Sequence, residues 1–182
     1  YSLNFRVKKL LSVNYRVKDL PVIILGDVAK LDFTPLENEE IDVIIGGPPC
    51  QDFSVVRGPQ SKRKGIKVKR GRLYAHFVRA LIYLQPRVFV FENVPGLVSA
   101  NEGLAYKTIL EDLRNLKVRW EEVKKVINAN NNRHKIQGYE ILFSDIIDMA
   151  KLGLPQKRER LIIIGVRRDV AKKLGATSFW SE

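Results

Sequence analysis

Cys50 closes the run Val43-Ile44-Ile45-Gly46-Gly47-Pro48-Pro49, and Glu92, Asn93 and Val94 follow directly on Val88-Phe89-Val90-Phe91. A thiol and a carboxyl group are thus delivered by the ends of two short apolar runs. In open α/β sheets the carboxyl ends of the strands are where ligands bind and chemistry is done. A nucleophile and a proton donor at one rim point to covalent catalysis. A lone buried cysteine is ordinarily a small, inert hydrophobe. Here two prolines fix φ and remove two N–H donors, so the turn presenting Cys50 is stiff. Gly46 and Gly47 permit close backbone approach of a ligand. Between Arg57 and Arg72 lie eight cations (Arg57, Lys62, Arg63, Lys64, Lys67, Lys69, Arg70 and Arg72) and no acid. A thiol beside such a segment is biased toward the thiolate, its reactive form.

The elements that must hold these groups are legible from periodicity. Val22–Leu25, Ile41–Ile45, Val88–Phe91 and Leu161–Ile164 are short, rich in β-branched or aromatic residues, and flanked by Gly, Pro or charge. Such runs read as strands buried on both faces, as in parallel sheets. Tyr139–Phe143 reads as a further strand, and Ile146–Leu152 as a short helix or irregular segment. Leu73, Phe77, Ala80, Leu81 and Leu84 keep helical spacing up to Pro86, and Ile109, Leu110, Leu113 and Leu116 repeat it within Leu104–Leu116. Val118–Ile127 fits either strand or helix, and Asn128–His134 is a polar loop. Alternating strands and helices predict an α/β fold with a mostly parallel sheet.

Composition bounds the function. The chain has 182 residues, 45% of them hydrophobic, enough for one domain with a real core. No stretch approaches the roughly 18 apolar residues of a spanning helix, and no signal-peptide pattern opens the chain. One cysteine cannot form an internal disulfide, so an intracellular, reducing setting such as the cytoplasm is expected. One Cys and two His (His76 and His134) do not supply the usual four ligands of a zinc site, so no metal is expected. A net charge of +12 points to a polyanionic partner, nucleic acid before anionic membrane. The cationic segment then reads as a lid closing over a phosphate backbone. His76 lies within the first predicted helix and is expected on its surface.

Gly47-Pro48-Pro49-Cys50-Gln51-x-Phe53-Ser54 resembles the nucleophile motif of the cytosine-5 DNA methyltransferases. Gly71-Arg72-Leu73-Tyr74, and then Pro86-Arg87-Val88-Phe89-Val90-Phe91-Glu92-Asn93-Val94, resemble the family's next helix and its Glu-Asn-Val motif. Gly153-Leu154-Pro155-Gln156-Lys157-Arg158-Glu159-Arg160 is similar to its Gln-x-Arg-x-Arg motif. Gly26-Asp27-Val28 matches the place of the cofactor aspartate. The resemblance runs from about Asp27 to Gly165, with the motifs in family order.

The resemblance implies a Rossmann-like sheet of the S-adenosylmethionine-dependent methyltransferase type, and methyl transfer from S-adenosylmethionine to C5 of cytosine in DNA. Cys50 would add to C6, and Glu92 would act as an acid at N3. Asn93 would orient Glu92 or tie down the motif's backbone. Arg160 would hydrogen-bond the cytosine O2, and Arg158 would hold phosphate or the loop. Asp27 would accept from the adenine amino group, Leu73 would line the adenosine pocket, and Pro48 would lie against donor and base. Because such enzymes flip the base out of the duplex, Ser54, Arg57, Lys62, Arg63, Lys64, Arg70 and Gln156 are expected to contact nucleic acid. Two other readings share these motifs: a tRNA cytosine-5 methyltransferase, and a nucleic-acid-binding homologue without catalysis.

The chain departs from the family at both ends. The Phe-x-Gly-x-Gly cofactor loop does not occur before Asp27, nor does the acidic residue that would hold the ribose. Few residues follow Gly165, where the family carries a target-recognition region. Residues 1–182 are therefore expected to be a partial catalytic domain, with a cationic catalytic loop over about 55–72 and with 167–182 starting the connection to the recognition region. A further segment or a second subunit would complete it.

Overall fold

The computed structural model describes residues 9–11, 22–24, 26–36, 39–49, 73–118, 124 and 137–175. Strands β1 (Lys9–Leu11) and β2 (Val22–Ile24) pair in parallel. A second sheet is built from β3 (Val43–Gly46), β4 (Val88–Asn93), β5 (Tyr139–Asp148) and β6 (Glu159–Arg167), in the order β3-β4-β6-β5. β3 runs parallel to β4, whereas β6 runs antiparallel to both β4 and β5.

The four-stranded sheet is therefore mixed rather than mostly parallel. The reason lies in a connection. Residues 149–158 join β5 to β6 through a 3-10 turn over Met149–Leu152 and a left-handed Gly153 (φ 94). That span is shorter than the roughly dozen residues a parallel crossover requires, so the two strands fold back as a hairpin. β5 also runs on through Ile146–Asp148, where a helix or irregular segment was expected. A register shift between Ile141 and Phe143 marks an irregularity on its path.

Helix α1 (Tyr74–Leu84) forms where the apolar spacing predicts it. It stops because Gln85 turns left-handed (φ 41) ahead of Pro86, and its N–H closes on the Leu81 carbonyl. The short α2 (Gly96–Ser99) leads into α3 (Leu104–Asn115), and α4 (Arg168–Leu174) follows β6. Tyr74, Phe77, Val78 and Leu81 of α1 and Ala105, Ile109 and Leu113 of α3 share one core with Phe89, Phe91, Tyr139, Ile141, Leu161 and Ile163 of the sheet. Phe77 meets Phe89 and Phe91 edge-on, at 5.9 and 5.4 Å between centroids. Such pairs add to the area they bury.

Those sheet residues alternate along their strands, so both helices lie on one face. Burial on both faces was the expectation for these strands. Among the described residues the other face is less covered: Ile45 is 75% exposed and Val43 48%.

Candidate active site

β3 and β4 are parallel, so their carboxyl ends reach the same edge. β6 is antiparallel, so its first residues arrive there too. The register pairs Gly46 with Phe91 and Glu92 with Ile162. Gly47, Glu92 and Arg160 consequently project on one side of the sheet as lateral and diagonal neighbours.

Arg160 Nε lies 2.8 Å from Glu92 Oε1, and both side chains are partly exposed. A second guanidinium nitrogen, Nη1, donates to the Glu159 carbonyl at 2.7 Å. Gly47 completes the fit. A Cβ there would stand 2.5 Å from Glu92 Oε2, so only glycine leaves room for the carboxylate in this position. Gly46 is similarly closed off by the Phe77 ring. The two glycines were expected to admit a ligand, but in this arrangement they admit side chains of the protein itself.

Asn93 is buried and ties the turn down. Its Nδ2 donates to the Pro48 carbonyl at 3.1 Å, and its Oδ1 accepts from the Val94 N–H at 2.9 Å. Pro48 carries no N–H and cannot pair its own amide; Asn93 anchors it through its carbonyl instead. Glu92 and Asn93 form the last two residues of β4, where a position just past the strand was expected.

Arg158 is exposed, and its backbone is pinned at both groups. Its N–H donates to Asp148 Oδ1 at 3.3 Å and its carbonyl accepts from the Met149 N–H at 2.9 Å. Gln156 is exposed on the same hairpin tip, and Leu73 stands half-buried immediately before α1. Asp27 caps a 3-10 turn over Val28–Lys30, its Oδ1 accepting from the Ala29 N–H at 2.9 Å. Cys50, Ser54, Arg57, Lys62, Arg63, Lys64 and Arg70 lie outside the described residues, as does the cationic loop as a whole.

The family described as C-5 cytosine-specific DNA methylase has a sequence model that matches residues 6–181. The chain belongs to that family. It is 66% identical over 157 residues to the DNA (cytosine-5-)-methyltransferase M.ApeKI of Aeropyrum pernix, a match covering 86% of this chain and 34% of the relative. With the type II methyltransferase M.NgoFVII of Neisseria gonorrhoeae it shares 34% identity over 81% of the chain and 33% of the relative. Among solved structures, the Entamoeba histolytica methyltransferase EhMeth is 21% identical, with a TM-score of 0.49, over 88% of this chain and 40% of that one. The chain thus spans about a third of the length of the curated relatives it matches.

In this methylase chain, two residues near Asp27 have surroundings that the sequence did not announce. His76 was expected on the helix surface but is half-buried, and its Nδ1 has no partner among the described residues. Desolvation lowers its pKa below 6.5; nearby Arg79 lowers it further, and Asp27 opposes both. Arg79 is 1% exposed although it is an arginine. Its position between Val78 and Ala80, in the middle of an apolar helix, was the available signal. No group of three or more His, Cys, Asp or Glu among the described residues could hold a metal. No described helix is long and apolar enough to cross a membrane.

Proposed function

We propose that the protein transfers a methyl group from S-adenosylmethionine to C5 of cytosine in DNA, through a covalent adduct between Cys50 and C6. The observation that carries this reading is the Glu92–Arg160 pair, held at the rim directly against the turn that leads into Cys50. Family membership and the relatives' printed activities support it. In this reading the mixed sheet is part of a Rossmann-like methyltransferase domain, β3 and β4 supplying its parallel portion.

The residues suit the steps. C5 of cytosine is a poor nucleophile until a group adds at C6. The Cys50 thiolate would form that bond, driving electrons toward N3. Glu92 would give N3 a proton while Arg160 donates to O2, so that the ring is neutralised as sulfur attacks. C5 then takes the methyl group. Transfer of the C5 proton to a base from solvent would expel Cys50 as thiolate, and N3 would return its proton to Glu92, which restores the aromatic ring. A partly exposed ion pair contributes only about 0–1 kcal/mol. Arg160 can therefore exchange Glu92 for the incoming base at little cost, releasing the carboxyl group for its proton.

S-adenosylmethionine would supply an electrophilic methyl group. Asp27 fits it: Oδ2 makes no hydrogen bond among the described residues, and an exposed acceptor suits the adenine amino group. Leu73 would line the adenosine pocket, and Pro48, held by Asn93, would lie between donor and base. Arg158, Gln156, Ser54, Arg57, Lys62, Arg63, Lys64 and Arg70 would contact nucleic acid, consistent with the +12 charge. DNA is the partner, and the cell interior is the setting.

The test is transfer of labelled methyl by the full-length protein to duplex DNA and, separately, to tRNA. Incorporation into DNA that disappears in Cys50→Ala is expected. Incorporation into tRNA alone would replace the substrate, and no incorporation into either would remove the reaction.

A further inference from the structure

The buried guanidinium of Arg79 has no part in the chemistry above, yet it is bonded to the turn that carries Asp27. It reaches out of α1 with Nη1 on the Leu31 carbonyl at 2.9 Å and Nη2 on the Val28 carbonyl at 2.7 Å. Its plane lies over the Phe33 ring, 4.5 Å from the centroid. Nε is buried without a partner among the described residues. Burial pushes its pKa down, while Tyr83 and Asp32 push it up.

Desolvating a guanidinium is expensive, and an apolar side chain of similar volume fills such a space as well or better. What a fork of donors adds is geometry: it fixes two carbonyls at once. Here those carbonyls bracket the 3-10 turn. The Val28 carbonyl also accepts from the Leu31 N–H at 3.2 Å, and the Asp27 carbonyl from the Lys30 N–H at 2.9 Å. The Arg79 side chain therefore ties the turn capped by Asp27 to α1 at two carbonyls. We propose that Arg79 is a positioning residue for the methyl donor: it fixes Val28–Leu31 so that Asp27 presents its outward oxygen to the adenine amino group. The proposal rests on the reading of Asp27 as the adenine acceptor.

The experiment measures donor dissociation constant, kcat, DNA dissociation constant and melting temperature for the full-length protein and for Arg79→Lys, Arg79→Met, Asp27→Ala and the Arg79→Met/Asp27→Ala pair. Lysine keeps the charge but not the fork. Arg79→Met is expected to weaken donor binding about tenfold, the scale of a lost charged hydrogen bond. DNA affinity and kcat at saturating donor should stay within about twofold, and Arg79→Lys should recover part of the loss. Because both residues act through one turn, their effects on donor binding should be non-additive. Donor binding weakened in Asp27→Ala yet unchanged in Arg79→Met and Arg79→Lys overturns this proposal alone. So does a loss that falls equally on donor, DNA and melting temperature, or additive effects in the pair. Donor binding that survives Asp27→Ala overturns the reading of Asp27, and this proposal with it.

Discussion

Glu92 is built into its place by its neighbour Asn93 and by two residues distant in sequence, Gly47 and Arg160. Arg160 holds one oxygen, Gly47 leaves space for the other, and Asn93 fixes the Pro48 carbonyl beside it. Glu92→Gln keeps the size and removes the acid. Methyl transfer should fall by roughly 10²–10⁴-fold with DNA binding intact, measured by incorporation and by equilibrium binding. Unchanged turnover would exclude Glu92 as the acid. Gly47→Ala probes the space instead. The new Cβ must displace the carboxylate, a flexible end, so stability should change by less than about 1 kcal/mol. Misplacement by about 1 Å can nevertheless cost 10²-fold in rate, and kcat alongside the thermal midpoint reads both. The types and order of Cys50, Glu92 and Arg160 were legible in the sequence because each sits in a distinctive motif. The tie between Gly47 and Glu92 was not, since it depends on strand register, which no local pattern encodes.

At the scale of elements, α1 and α3 match the predicted helices within a residue or so, because their apolar stripes leave no other face to bury. The far half of β5 was hidden by Ser144, Asp145 and Asp148, polar residues on a strand near the edge of the covered core. Strand direction was hidden as well, because it follows from a connection length rather than from composition. Helix α1 also carries a pH-sensitive group in His76. Its pKa is lowered by desolvation first and then by Arg79, so near pH 6.5 the unfolded chain binds a proton that the folded one resists. Its contribution to stability is therefore full above about pH 6.5 and is lost as pH falls through the lower folded value. Denaturant midpoints of the full-length protein at about pH 7.5 and about pH 5.5 should differ more than those of His76→Gln. Equal differences would rule His76 out as the source.

For the molecule as a whole, the excess of 32 Lys and Arg over 20 Asp and Glu would set the terms of the proposed association with DNA. Contacts to phosphate release counterions, so affinity should fall steeply with salt, by about 10³-fold between 50 and 200 mM if six phosphates are neutralised. A binding isotherm that ignores salt would contradict an electrostatic footprint. The β4–β6 ladder bears on a different matter, time. It runs without interruption from Val88 opposite Val166 to Asn93 opposite Leu161, inside the sheet rather than at its edge. Local opening reaches such interior ladders last, so their amides exchange most slowly. Glu92 stands on that ladder, and Arg160 follows one residue beyond its end, paired with Ile147 of β5. If the two side chains part for an incoming base, their paired backbones return them to the same place.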